Sequence, residues 1–136
     1  MVRTSTANWQ GSGKEGSGTL SVQSGLITNQ AYTYASRFEQ AKGTNPEELV
    51  AAAHAACYSM KLSFILGAAG FTPEKIETSC SVTLENGAIT KSHLVLKASI
   101  PGISKEKFEE CANDANVNCP ISKSLTASIT LEASLA

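Results

Sequence analysis

The segment from Thr44 to Met60 reads TNPEELVAAAHAACYSM, and it predicts the element around which the fold is built. Pro46 is a favoured first residue of a helix, and Thr44 or Asn45 can cap the free N–H groups before it. The two glutamates that follow lie in the first turn, where negative charge suits the helix dipole. Gly70 is placed to end the helix. We therefore expect a rod of roughly two dozen residues, about 36 Å long.

This helix is apolar on every face, which predicts a central helix surrounded by other structure. Its band of alanines at positions 51, 52, 53, 55 and 56 allows a second helix to approach closely. A chain of 136 residues with only 6% aromatic residues has a core of small side chains, so oligomerisation is expected. The apolar segment 49–69 is not a convincing bilayer span, because polar residues interrupt it: His54, Ser59, Lys61 and Ser63.

Composition describes a soluble globular protein with a single domain over residues 1–136, since 42% of the residues are hydrophobic and 17% are charged. A net charge of −1 gives no indication of binding to nucleic acid or to an anionic membrane. Residues 1–5 lack the apolar run of a secretory signal, so a cytoplasmic location is expected. The cysteines and histidines contain no C-x-x-C pair and no local zinc half-site, so no metal cofactor is expected.

Turn residues and strand-forming runs predict the remaining elements. Residues 6–24 form a hairpin with a glycine-rich tip, which is a loop and not a phosphate cradle, since no Gly-Lys-Ser/Thr ending or following helix accompanies it. The other expected elements are a third strand or its exit at 31–39, an antiparallel hairpin of 77–84 and 89–100, a helix from Ser104 to 113–116, a turn at 118–124 and a last strand at 126–133. This order, β-β-β-α-β-β-α-β, indicates an α+β fold.

The four cysteines differ in their surroundings. Cys119 precedes Pro120, so it lies at or beside a helix entrance, where unpaired N–H groups stabilise a thiolate. It is therefore a candidate redox thiol. Cys80, in a strand, and Cys111, on the second helix, are expected to be packing or surface residues.

Cys57 lies in the middle of the long helix. One turn away lie His54, a possible base, and Lys61, a cation, so a Cys–His nucleophile is conceivable. No acidic group that would orient the imidazole is evident, however. Composition and spacing alone favour an inert core cysteine at this position.

Three motifs change that interpretation: NPEEL at 45–49, AAAHAAC at 51–57 and NCPISK at 118–123. With them the chain resembles the OsmC/Ohr family of thiol peroxidases, and the likeness extends over nearly the whole chain. It includes Trp9 with the glycine-rich hairpin and the Gly70-Phe71-Thr72-Pro73 helix exit. An arginine inside Arg37-Phe38-Glu39, ahead of the helix, and the histidine of AAHAAC are both similar to the OsmC branch.

The resemblance implies a role for each matching residue. Cys57 would be the peroxidatic thiol, Cys119 the resolving thiol, and Arg37 and Glu47 the polar pair beside the reactive sulfur. Family members reduce organic hydroperoxides, and hydrogen peroxide less well, through a sulfenic acid and then a disulfide. The resemblance also implies antiparallel sheets around long central helices, an intertwined homodimer with sites at the subunit interface, and no metal or flavin. The reductant would be a dihydrolipoyl carrier, a thioredoxin-like protein or a small thiol.

Helix geometry adds one expectation. Ten residues of one helix separate Glu47 from Cys57, a rise of about 15 Å along its axis. If both serve one site, the glutamate most simply comes from the partner subunit. Two other functions stay open: a non-catalytic dimeric scaffold or small-ligand-binding protein that keeps the fold, and a Cys–His hydrolase using Cys57 and His54.

Overall fold

The strands of the protein form two separate three-stranded sheets. The computed structural model describes residues 1–136 and divides them into two units, residues 1–49 and residues 50–136. The first unit holds β1 (Ser5–Gln10), β2 (Ser17–Val22), β3 (Gln30–Tyr32) and α1 (Tyr34–Phe38). Helix α2 (Pro46–Ala68) begins there and continues in the second unit, which also holds β4 (Lys75–Glu85), β5 (Ala88–Ser99), α3 (Lys105–Asn118), α4 (Pro120–Ser124) and β6 (Ser128–Leu135). The segregation of strands and helices confirms the α+β class.

In the first unit, β1, β2 and β3 pair in that order, all antiparallel. The predicted hairpin is present, with Trp9 opposite Gly18. Only glycine fits at position 18, because an added Cβ would lie 2.3 Å from the Asn8 carbonyl oxygen and 2.7 Å from the Tyr32 ring. Its small size therefore lets the rings of Trp9 and Tyr32 pack with centroids 5.3 Å apart.

The segment 31–39, expected to be a third strand or its exit, contains only the end of a strand and is otherwise the exit from it. Strand β3 ends at Tyr32, and the next residues form the short helix α1. The reason is a capping box: the Thr33 side chain accepts from the Ser36 backbone N–H at 3.1 Å, and the Ser36 hydroxyl accepts from the Thr33 backbone N–H at 2.8 Å. These reciprocal bonds favour a helix start over strand pairing.

Helix α2 begins and ends as predicted. The Asn45 side chain accepts from the Glu48 backbone N–H at 2.8 Å. After the last turn Gly70 takes a left-handed φ of 89°, and the Phe71 N–H donates to the Leu66 carbonyl at 2.9 Å. The predicted burial on all faces is wrong for a single chain. The fully buried residues of α2 form one stripe, spaced four residues apart: His54, Tyr58, Leu62 and Leu66.

The opposite side of α2 is apolar and exposed. We call it the open face of α2, and it comprises Ala52, Ala53, Ala56, Met60 and Phe64. Met60 is 64% exposed and Phe64 69% exposed. An apolar helix face of this kind requires a covering surface to be removed from water.

The length and apolar content of α2 also meet the requirements of a membrane span. An 18-residue window has a mean hydropathy of 1.5, and 22% of that window is buried. The core helices of water-soluble proteins meet the same requirements, so this one helix is weak evidence for a span.

In the second unit, β4 and β5 form the predicted antiparallel hairpin. Asn86 and Gly87 turn it with positive φ values of 50° and 76°. This sheet is mixed, because β6 pairs with β5 in parallel, next to the expected antiparallel pairing of β4 and β5. The connection through α3 and α4 returns the chain to the end of the sheet where β5 starts, as a parallel pairing requires.

The predicted turn at 118–124 contains helix α4, which starts at Pro120 with Cys119 as its N-cap residue. The core of this unit joins α2, β5 and α3. Tyr58 is fully buried, and its hydroxyl donates to the Ala112 carbonyl at 3.1 Å.

Candidate active site

Arg37 and Glu47 form a forked ion pair. Arg37 Nε donates to Glu47 Oε1 at 3.0 Å and to Oε2 at 3.3 Å, and the terminal Nη2 donates to Oε1 at 2.7 Å. The arginine side chain is 39% exposed and the glutamate 14% exposed. One edge of the guanidinium is thus fixed by the carboxylate, and its remaining N–H groups are free to meet a ligand.

Local hydrogen bonds hold both partners of this pair. The buried Ser36 hydroxyl, next to Arg37, lies 2.9 Å from the Thr44 carbonyl, and the Asn45 side chain donates to the Ser36 carbonyl at 3.3 Å. These bonds tie α1 to the start of α2, which carries Glu47. The Arg37–Glu47 ion pair is therefore supported by hydrogen bonds between α1 and the N-terminal end of α2, the two helices that carry it.

A cavity of about 290 Å³ lies beside Arg37 in the first unit. The Phe38 ring centroid is 5.1 Å from the guanidinium carbon of Arg37, a cation–π distance. The cavity is lined mainly by aromatic side chains: Trp9, Tyr32, Tyr34 and Phe38. It offers apolar surface next to a cation.

In the second unit, Cys57 and Cys119 lie near each other. Cys119 is fully buried at the junction of α3 and α4. The half-buried Cys57 packs against the core cluster that contains Cys119, and Cys119 and the backbone of Ile121, the second residue of α4, are near enough to act on the pKa of the Cys57 thiol. All four cysteines are free thiols. Cys111 is buried in the core and Cys80 half-buried on β4, in line with packing roles.

The pKa of the Cys57 thiol is raised above its ordinary value. Burial is the largest cause and the neighbouring Cys119 adds to it, whereas the backbone of Ile121 and the charge of Lys61 act in the opposite direction. The groups of the second unit therefore leave Cys57 mainly protonated at neutral pH. A reactive thiolate at this position requires additional positive charge.

His54 is fully buried and does not face Cys57. Its Nδ1 lies 2.6 Å from Ser92 Oγ, and its Nε2 lies 2.7 Å from Ser122 Oγ. Both ring nitrogens are therefore engaged by serines, which removes the geometric basis of a Cys–His nucleophile. Burial lowers the pKa of His54, so the imidazole stays neutral in the folded protein.

The buried neutral His54 predicts acid sensitivity. Below its ordinary pKa of about 6.5 the unfolded chain binds a proton that the folded protein does not, so stability present above that pH is lost as pH falls towards the folded pKa. We expect the thermal unfolding midpoint to drop between about pH 7 and pH 5. His54→Gln removes the titrating ring and should flatten this slope. Equal slopes for the two proteins would contradict the prediction.

Sequence reasoning missed the serine partners and the Ile121 backbone. The sequence could have indicated a role for Ser122, because it follows Cys119 by three residues, which is one turn of the helix that begins at Pro120. Ser92 gave no such signal, since its role depends on β5 passing beside α2 in the folded unit.

Comparison with known proteins places this site in a family. A sequence model of the OsmC-like protein family matches residues 39–134. Peroxiredoxin OsmC of Escherichia coli strain K12 is 48% identical over 130 residues, which are 93% of the chain and 91% of that relative. The chain belongs to the OsmC-like family.

Solved structures extend the likeness of this OsmC-like protein to the whole fold. An OsmC-like protein from Mycoplasma pneumoniae has a TM-score of 0.78 at 16% identity, and the match covers 100% of the chain and 98% of that structure. The organic hydroperoxide resistance protein OhrB of Bacillus subtilis has a TM-score of 0.64 at 23% identity and 98% coverage of each chain. These matches confirm the OsmC-like fold.

Proposed function

We propose that the protein is a thiol-dependent peroxidase that reduces hydroperoxides to alcohols. The observation that carries this conclusion is the proximity of Cys57 to the buried Cys119. It occurs in a chain 48% identical to a protein named as a peroxiredoxin. Two adjacent thiols, one to be oxidised and one to resolve the product, are what a peroxidase cycle without a metal or flavin needs.

The cycle uses Cys57 as the peroxidatic thiol. Its thiolate attacks the distal oxygen of the hydroperoxide, an S–O bond forms, the O–O bond breaks, and the alkoxide leaves and takes up a proton to become the alcohol. The thiol of Cys119 then attacks the sulfenic sulfur, which forms an S–S bond and releases water. An external thiol restores both cysteines by disulfide exchange.

Arg37 and Glu47 are proposed to assist the first step. The thiolate needs positive charge, and the leaving alkoxide needs a donor. A guanidinium supplies both, and Glu47 already fixes its orientation at 2.7 Å and 3.0 Å. The pair is thus suited to bind the peroxide oxygens and to favour Cys57 as the thiolate.

The aromatic cavity beside Arg37 supports an organic substrate. Its rings offer apolar contact to the alkyl or aryl group of a hydroperoxide. Hydrogen peroxide has no such group and gains nothing from the cavity. We therefore propose organic hydroperoxides as the preferred substrates and hydrogen peroxide as a poorer one.

A homodimer is proposed as the working form, with residues 1–136 acting as one OsmC-like domain in each subunit. Two observations support it. The open face of α2 is apolar and exposed in the single chain, and its alanines allow a second helix to pack closely. Glu47 and Cys57 are also about 15 Å apart along one helix axis. In the proposed dimer, Glu47 of one subunit and the Arg37 it holds serve Cys57 of the other.

The reductant and the location are further parts of the proposal. A thiol reductant, whether a dihydrolipoyl carrier, a thioredoxin-like protein or a small thiol, would reduce the disulfide by exchange. Free thiols persist in a reducing compartment, and a cytoplasmic site of action fits a cycle that returns both cysteines to this state.

The test is peroxide-dependent formation of the Cys57–Cys119 disulfide. Reduced protein is treated with one equivalent of cumene hydroperoxide, alkylated and mapped by peptide mass spectrometry under non-reducing conditions. We expect this bond in nearly all molecules and one alcohol released per bond. A non-catalytic scaffold or ligand-binding protein predicts four thiols of ordinary reactivity and no such bond, and that result would refute the proposal.

A further inference from the structure

A network of hydrogen-bonded polar side chains links β4, β5, α2 and α4 in the second unit. His54 on α2 contacts Ser122 on α4 through Nε2 and Ser92 on β5 through Nδ1. Ser92 Oγ in turn lies 3.2 Å from Cys80 Sγ on β4. His54 and Ser92 are fully buried, and Ser122 is nearly so. The catalytic steps described above use none of these four side chains.

One arrangement of protons gives the hydroxyl hydrogens of Ser122 and Ser92 an acceptor each. Ser122 donates to His54 Nε2, His54 Nδ1–H donates to Ser92, and Ser92 donates to the Cys80 sulfur. The Ser92 bond lowers the pKa of Cys80 against the larger effect of burial, as expected for a donor facing that sulfur. The neutral imidazole thus bridges two elements in a fixed tautomer.

Helix α4 needs such an anchor because it has only five residues, Pro120–Ser124. A helix this short is not stable by itself and depends on tertiary contacts. Ser122 is its buried residue, and the protein partner of the Ser122 hydroxyl is His54. The hydrogen bond between them therefore fixes α4 against α2.

The same short helix carries the groups that lie near Cys57. Cys119 is its N-cap residue, and the backbone of Ile121 lies near the Cys57 sulfur. His54 precedes Cys57 by three residues, so the two side chains leave α2 within one turn. The bond to Ser122 and the reacting thiols thus share the same two helices.

We propose that His54 is a positioning residue for the resolving step, which acts by holding α4, through Ser122, so that Cys119 stays in reach of the Cys57 sulfur. This inference rests on the proposed peroxidase function. In the resolving step the S–H of Cys119 and the S–OH of Cys57 combine, the S–S bond forms as the S–O bond breaks, and water is released. A disulfide tolerates little error in the placement of the two cysteines.

A competing reaction makes the effect measurable. When Cys119 is displaced, excess peroxide oxidises the Cys57 sulfenic acid to a sulfinic acid instead. The ratio of disulfide to sulfinic acid therefore reports how well α4 is held. Loss of the anchor should shift this ratio towards the sulfinic acid.

The chain offers two matched pairs of variants for the test. Ser122→Ala and Ser92→Ala each remove one of the two buried hydroxyls bound to His54, but only Ser122 lies on α4. His54→Asn places an amide near the Nδ1 position, facing Ser92, whereas the longer His54→Gln reaches the Nε2 position, facing Ser122. The second pair keeps the test informative should one serine variant fail to fold.

The experiment treats each reduced variant with about ten equivalents of cumene hydroperoxide and follows disulfide and sulfinic acid by mass spectrometry. We expect disulfide formation to be about tenfold slower in Ser122→Ala and His54→Asn. Ser92→Ala should stay near wild type, and His54→Gln should recover most of the rate that His54→Asn loses. Thermal unfolding should shift for both serine variants, since each loses a buried hydrogen bond.

A different pattern overturns the inference. Equal slowing in Ser122→Ala and Ser92→Ala would mean that the network only stabilises the fold. Wild-type rates in Ser122→Ala and His54→Asn would mean that α4 needs no anchor. Failure of the wild type to form any disulfide would instead refute the peroxidase function itself.

Discussion

Cys57→Ser should reduce hydroperoxide consumption to the uncatalysed rate, a loss on the order of a thousandfold or more. A serine hydroxyl at this position has no activating base and is a poor nucleophile towards a peroxide oxygen. The measurement is the disappearance of cumene hydroperoxide with a dithiol reductant in excess. Cys111→Ala is the matched control, because Cys111 is buried in the same core and has no role in the proposed cycle.

Cys119→Ser separates the two chemical steps. This variant should reduce one equivalent of peroxide per site to give the Cys57 sulfenic acid and, when peroxide is in excess, about one more to give the sulfinic acid, and then stop. Continued turnover in Cys57→Ser, at any rate close to wild type, would end the assignment of this cysteine as the nucleophile.

Removal of the Arg37 charge should have the second largest effect. Arg37→Met is expected to lower kcat/KM by a factor on the order of 10² to 10³, since in the proposed site Arg37 supplies both the cation that favours the thiolate and the donors for the leaving oxygen. Alkylation of Cys57 at neutral pH should slow as well, because the pKa of this thiol then reflects burial with less opposing charge. Arg37→Lys keeps the charge but loses the bidentate geometry of the guanidinium, so its kcat/KM should lie between the values of the wild type and Arg37→Met.

Mixed dimers test whether the Arg37–Glu47 pair serves Cys57 of its own subunit or Cys57 of the partner subunit. Glu47→Ala and Cys57→Ser are each expected to be impaired as homodimers. A heterodimer of the two should regain about one working site if Glu47 serves the Cys57 of its partner. The absence of any recovery in the heterodimer would place the pair and the thiol of each site in the same subunit.

Much of the architecture is determined by local signals. Asn45, Pro46 and Gly70 fix the limits of α2, and Asn86-Gly87 fixes the central hairpin, because each needs only its neighbours to act. The α1 helix escaped prediction because its start depends on a reciprocal pair, Thr33 and Ser36, inside a run that otherwise resembles a strand. The parallel β5–β6 pairing depends on the course of the chain through two helices, which no local pattern encodes.

The candidate site divides along the same line. Cys57, Cys119, Arg37 and Glu47 were selected by their motifs, and their roles remain proposals. The resemblance gave no reason to connect His54 to Ser122, and spacing made a Cys57–His54 pair conceivable without favouring it. The partners of His54 could not be predicted because they lie on β5 and α4, and only the packing of these elements against α2 brings them to the imidazole.

Because of the open face of α2, the stability of the proposed dimer depends on the concentration of the protein. Met60 and Phe64 stay in water in a lone subunit, so dissociation carries the hydrophobic penalty of exposing them. Dilution would then weaken the protein as heat does, by drawing subunits away from one another. A cell that raises the amount of this protein would gain a larger fraction of complete sites as well as more chains.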